Sequence, residues 1–169
     1  MRNEIKFCDR CGDSLANKTV EGKQRQTCTT CGHTVFLDPK LAVVVLVSTE
    51  EKLVLVRRAI EPALGHWAFP SGFVDAGEIV EHAAIREVFE ETSVEIVLDH
   101  LIGVYSETGN AVVFIAYAGT LVSGEATAGD EAFEVGWFRL DKLPDLAFPH
   151  DNKIVSDWKR LQTLDTNST

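Results

Sequence analysis

An apolar run at residues 41–47 (LAVVVLV) is unbroken, and a second run at 53–56 follows it across a polar turn at 48–52. Short unbroken runs of Val and Leu predict strands buried on both faces, since a half-exposed strand would alternate. Stretches rich in Val, Ile and aromatics at 94–98, 101–105, 111–121 and 135–138 predict further strands, and 67–70 a short extended piece. Two stretches carry helical spacing instead, 79–92 and 151–164. At the second, Asp151 is expected as the N-cap and Phe148 as its hydrophobic staple, and residues 148–151 could equally line a base pocket. Many strands with two helices predict an α/β fold, a mixed sheet packed between helices.

The first helix has two faces. On a wheel of about 100° per residue with Ile85 at zero, Val88 falls at about 300°, Phe89 at about 40° and Thr92 at about 340°, an apolar face expected to be buried. Glu87 at about 200°, Glu90 at about 140° and Glu91 at about 240° gather three carboxylates on the opposite face. Like charges at this spacing destabilise a helix by a few tenths of a kcal/mol per pair. Arg86 is the only basic residue between Arg58 and Arg139. A solvated acidic face and a hard divalent cation held by oxygen ligands both fit that pattern.

Composition narrows the function. The chain has 169 residues, 45% hydrophobic and 25% charged, which is globular composition with room for one ordinary domain and a small appendage. No apolar run approaches the ~20 residues of a membrane helix, so no membrane partner is expected. Residues 1–6 are too polar for a secretory signal, and the expected location is cytoplasmic. Sixteen basic against 26 acidic residues give a net charge of −10, which speaks against nucleic acid or anionic lipid as partner. A small phosphorylated substrate remains compatible with that charge if a metal cancels the repulsion locally. Nothing in the sequence decides between a monomer and a homodimer.

The four cysteines all precede Asp38-Pro39, where turn formers give way to long apolar runs, and two units are expected there, 1–36 and 37–169. Cys8-x-x-Cys11-Gly12 and Cys28-x-x-Cys31-Gly32 are paired turns separated by 16 residues. That spacing lets four thiolates face one Zn²⁺ in a closed, structural site, and so small a unit needs such a staple. Two disulfides would want a secreted chain, and a redox C-x-x-C would want a helix start in a βαβ context. His33 is read as a bystander. The first unit holds six basic and four acidic side chains, too balanced for a nucleic-acid module once four thiolates outweigh the ion; docking on the second unit is the preferred reading.

From Gly72 the chain runs Gly72-x5-Glu78-x7-Arg86-Glu87-Val88-x-Glu90-Glu91-x-Ser93-Val94. This resembles the signature of the Nudix hydrolases, G-x5-E-x7-R-E-U-x-E-E-x-G-U with U apolar, departing from it only at Ser93. Arg57-Arg58, Gly65-x-Trp67-x-Phe69-Pro70-Ser71-Gly72 and Glu134-Val-Gly-Trp137-Phe138 are also similar to the family, so the resemblance covers about residues 40–140. It implies a Nudix α/β/α sandwich with a mixed sheet. It also implies an enzyme that hydrolyses a nucleoside diphosphate linked to another moiety and releases a nucleotide. Glu87, Glu90 and Glu91 match the carboxylates that hold Mg²⁺ or Mn²⁺, Arg86 the arginine that orients them, and Glu78 a supporting carboxylate. The general base would be Glu91 or a loop acid among Asp130, Glu131 and Glu134, with Glu131 favoured. Gly72, Arg57 and Arg58 are candidate substrate contacts; the adjacent arginines point to opposite faces of a strand, so at most one is expected to reach phosphate. Ser93 should adopt a left-handed conformation at a cost of about 1 kcal/mol.

A zinc ribbon before such a domain resembles the NADH pyrophosphatases and the enzymes acting on ADP-ribose or FAD, which implies an adenine dinucleotide-type substrate. The aromatic–proline run of the NADH group is absent from residues 105–114, and so is the proline that marks one ADP-ribose subfamily near Gly109. The competing reading is a non-catalytic nucleotide sensor whose ribbon binds protein or nucleic acid.

Overall fold

A computed structural model describes residues 5–166, with side chains described to residue 164, so the polar start read above lies mostly outside the described residues. The chain divides into two compact units at Asp38 and Pro39.

The first unit is a β-hairpin of β1 (Leu15–Val20) and β2 (Lys23–Cys28), antiparallel with Leu15 opposite Cys28. Glu21 and Gly22 connect the strands with φ of 52° and 75°. Two left-handed residues in a two-residue loop match the right-handed twist of the flanking strands. Sequence patterning predicts only turns here, because LANKTV and KQRQTC carry no alternating apolar set.

The second unit is built on a mixed seven-stranded sheet. Its strands are β3 (Lys40–Thr49), β4 (Lys52–Arg58), β5 (Trp67–Ala68), β6 (Ser71–Phe73), β7 (Glu95–Tyr105), β8 (Val112–Ser123) and β9 (Ala132–Arg139). The order is β5-β4-β3-β8-β7, with β6 beside β3 and β9 beside β4; β3 and β8 run parallel and the other pairs antiparallel. The helices α1 (Val80–Thr92) and α2 (Pro149–Thr166) cover opposite faces. The unbroken run of β3 has its predicted meaning: Val43, Val45 and Val47 pack with Ala83, Ala84 and Val88 of α1, while Val44 and Leu46 pack with Ile154, Val155 and Trp158 of α2. Each fully buried Val or Leu contributes about 1.5–3 kcal/mol, which makes this strand the spine of the α/β/α sandwich.

Three expectations need correction. The stretches at 94–98 and 101–105 form one strand, β7, whose pairing with β8 slips at three places; the bulges scramble the alternation a sequence reading depends on. Val88 and Thr92 are buried as expected, but Ile85 and Phe89 are exposed and α1 buries Ala83, Ala84 and Glu91 in their place, a face turned roughly 80° from the apolar one. Alanines let the helix sit close on the valine-covered sheet, and that rotation carries Glu91 inward. Finally, α2 starts at Pro149, whose fixed φ suits a first helical turn, so Asp151 is its third residue and not its N-cap. Ser93 does take the left-handed conformation, with φ 59°, and its N–H bonds Phe89 O at 2.8 Å.

Candidate active site

β6 and α1 meet over a cavity of about 830 Å³ opening beside the sheet. Arg86 organises the helix side. Its Nε and Nη2 donate to the two Glu78 carboxylate oxygens at 2.8 and 2.9 Å, Nη1 donates to Glu87 and Glu90 at 2.8 and 3.0 Å, and Nη2 also reaches Phe73 O at 3.1 Å. The five donors of the guanidinium are thereby all used. Arg86 and the Asp75 N–H lower the Glu78 pKa to about 2.

Glu87 and Glu91 move the opposite way. Burial pushes Glu91 up to about 8 against the Ser71 N–H that bonds it at 3.0 Å, and burial also raises Glu87. A Cβ at Gly72 would overlap the Glu87 carboxylate, so a larger residue there would have to displace that side chain. Glu87, Glu90 and Glu91 line one cavity wall, although Glu87 and Glu90 turn toward Arg86 and Glu91 toward Ser71. One arginine shared among Glu78, Glu87 and Glu90, together with the burial of Glu87 and Glu91, leaves negative charge that a hard cation would relieve.

Residues 124–131 cross the end of α1. Thr127 and Gly129 donate their N–H groups to Thr92 O at 2.9 Å and Glu91 O at 3.1 Å. A Cβ at Gly129 would overlap the Glu90 carbonyl, so only glycine permits this approach, which delivers Asp130 and Glu131 to the cavity. Glu134 lies on β9 and pairs with Arg57 at 3.5 Å. The two arginines part as strand geometry predicts: Arg57 also bonds Gly65 O, while Arg58 is buried and faces the cavity with Nε on Pro62 O at 2.8 Å.

Opposite α1 the wall is aromatic. Phe114 stacks on His150 with ring centroids 4.1 Å apart, and Phe148 lies parallel to His150 at 5.4 Å. The Arg58 guanidinium stands 5.4 Å over Phe148. Phe114, the Ser71 amide and Gly129 escape sequence reading: the first is one apolar residue among many in β8, and the other two act through backbone position.

In the first unit, Cys8 and Cys31 Sγ are 3.7 Å apart, Cys11 and Cys28 Sγ 3.5 Å, and all four sulfurs lie within 4.8 Å of one another. A tetrahedral zinc with ~2.3 Å bonds sets its sulfurs about 3.8 Å apart, so the donor set fits. The Arg10 and Cys31 amides point at Cys8 and Cys28 sulfur, each at 3.4 Å, and none of the four is in a disulfide. Among the described residues this is the one set of three or more ligand atoms gathered so closely. His33 stands apart from it, 3.2 Å from Asp9.

The NUDIX domain model matches residues 38–158. The chain belongs to the Nudix family. It is 38% identical over 130 residues to an ADP-ribose pyrophosphatase of Methanocaldococcus jannaschii, covering 75% of this chain and 76% of that protein. It is 31% identical over 142 residues to the NAD-capped RNA hydrolase NudC of Pseudomonas aeruginosa, covering 83% of this chain but only 50% of that longer protein. A Nudix hydrolase structure from Nitrosomonas europaea superimposes with a TM-score of 0.85 at 30% identity, over 89% of this chain and 88% of that one. Nudix membership makes the chain a pyrophosphohydrolase of nucleoside diphosphate derivatives, in a family that generally uses divalent metal ions. No helix among the described residues is long and apolar enough to cross a membrane.

Proposed function

We propose that the chain cleaves the diphosphate of an ADP-containing substrate of the ADP-ribose, NADH or FAD type and releases AMP. The observation that carries this reading is one cavity with carboxylates on the α1 wall and the Phe114–His150–Phe148 stack on the other. Such a cavity offers a charged end for a diphosphate and a flat apolar surface for a ring. The ADP-ribose pyrophosphatase among the relatives points the same way.

Glu87, Glu90 and Glu91 would hold Mg²⁺ or Mn²⁺, which when bound neutralises diphosphate charge and acidifies water. The remaining work falls to the chain. Arg86 fixes Glu87 and Glu90 while Glu78 anchors Arg86. Arg58, buried and committed at Nε only to Pro62 O, presents its charge to a phosphate oxygen. Water adds to one phosphorus, its proton passes to the Glu131 carboxylate, and the bridging P–O bond breaks to leave two monophosphates. Cys8, Cys11, Cys28 and Cys31 would hold Zn²⁺ in a closed site with a structural role.

The test is a turnover panel with Mg²⁺: ADP-ribose, NADH, FAD, NAD-capped RNA and nucleoside triphosphates, wild type beside Glu87→Gln. AMP release from an adenine dinucleotide-type substrate, with kcat/KM above any triphosphate and lost in the variant, is expected. Preferred cleavage of a triphosphate, or orthophosphate as product, overturns the substrate assignment. No turnover of any member leaves the nucleotide-sensor reading.

A further inference from the structure

The apolar side chains that α1 leaves outside do not stand alone. Ile85 is 38% exposed and Phe89 52%, and both line a groove of about 570 Å³ with Ile96 and with Val122, itself 63% exposed. The surface continues along β7. Leu101 and Val104, 49% and 61% exposed, lie opposite Tyr117 and Ile115, on the face of the sheet that α1 covers. The Tyr117 hydroxyl donates to Glu81 at 3.1 Å, which sets the first turn of α1 over the register partner of Leu101. One apolar strip therefore runs from Phe89 and Val122 past Ile85 to Leu101 and Val104.

We propose that this strip is the contact between two copies of the chain, related by a twofold axis. Its five side chains expose on the order of 500 Å² of apolar surface, toward the upper end of the largest patch on a typical monomer. A standard interface buries about 800 Å² per partner, and about 65% of that is apolar in homodimers, so the strip has the apolar area that each side of such an interface needs. The pairing does not depend on which nucleotide the chain cleaves.

The chemistry of the strip favours a second copy over another partner. The carboxylates that border it, Glu81, Glu95 and Asp99, accept from the hydroxyls of Tyr117, Ser123 and Thr120 instead of reaching across it. Arg86, in the groove wall, has its donors committed to the active site. The strip thus offers little to a basic or an acidic partner, whereas a twofold sets against it a surface of equal size and chemistry. The copies meet by faces, not by strand edges. β7 ends the sheet, but three slips in its pairing with β8 disturb it, and a bulged edge is a poor template for another strand. Each copy carries a net charge of −10, so like charges oppose the association and salt relieves that repulsion.

The experiment is analytical ultracentrifugation of the full chain over a dilution series, at low and at high salt. Wild type should sediment with twice the 18.6 kDa of one chain, and its dimer should tighten as NaCl is added. Phe89→Gln and Leu101→Lys change exposed side chains on two different elements, so the monomer should stay folded, which urea unfolding followed by tryptophan fluorescence verifies. Each should weaken the dimer at least about tenfold. Phe7→Gln removes an aromatic of the first unit, 65% exposed, and should leave the dimer unchanged. A wild type that is monomeric throughout overturns the proposal. So does a dimer that survives both strip variants, one that Phe7→Gln dissociates, or one that salt loosens.

Discussion

Replacing Glu91 with glutamine should stabilise the metal-free protein while disabling it, and the gain should grow with pH. Glu91 is 6% exposed, and burial raises its pKa from 4.5 to about 8. A carboxyl whose pKa stands higher in the folded chain than in the unfolded one holds its proton more tightly when folded. Its contribution to stability is therefore whole below about pH 4.5 and is lost as pH rises through about 8. That interval corresponds to on the order of 5 kcal/mol at full ionisation and roughly 3 kcal/mol at pH 7. Glutamine keeps an oxygen for the Ser71 N–H, so the substitution removes the charge and leaves the contact. The three tryptophans, Trp67, Trp137 and Trp158, all lie in the second unit, so urea unfolding followed by their fluorescence reports on the right part of the chain. In buffer freed of magnesium and manganese, the variant should match wild type near pH 5 and exceed it by several kcal/mol at pH 8.5. Added Mg²⁺ should then stabilise wild type more than the variant. A difference between the two proteins that is equal at both pH values, or a variant less stable at pH 8.5, would refute the argument that desolvated charge at Glu91 is held in reserve for a cation.

Two further outcomes follow from the geometry. Gly129→Ala should lower kcat at least about tenfold with KM little changed, because the Cβ pushes the 124–131 segment, and Glu131 with it, off the end of α1; steady-state kinetics showing normal kcat would remove Glu131 from the reaction. Purified protein should carry ~1 zinc per chain, and stripping it should melt the β1–β2 hairpin while tryptophan fluorescence of the second unit holds; elemental analysis without zinc, or an iron–sulfur absorbance, would contradict this.

What could be read from the sequence was whatever side-chain chemistry itself constrains. The valines of β3 had to be buried on both faces, so their unbroken run announced a central strand, and the Gly72–Val94 spacing fixed a helix with its arginine and glutamates in order. The two C-x-x-C-G turns likewise named their own ligand set. Illegible were the features decided by backbone approach. The β1–β2 hairpin is held by two left-handed turn residues and its cysteine ends, not by an apolar face. Hydrophobicity accounts for only Val88 and Thr92 of the face that α1 buries. In the structure, two alanines choose it by allowing close packing, and Ile85 and Phe89 are left outside. That rotation is the step on which the site depends. It takes Glu91 from an acidic surface, where its charge would be solvated at little cost, to a position beside Ser71 where the same charge is expensive. Arg86 meanwhile spends all five donors on Glu78, Glu87, Glu90 and Phe73 and has none left for Glu91. A fold that wanted only stability would have placed an alanine or a leucine at position 91. Keeping a carboxyl there, desolvated and beyond the reach of the one arginine on the helix, makes sense if a cation arrives with the substrate to neutralise it.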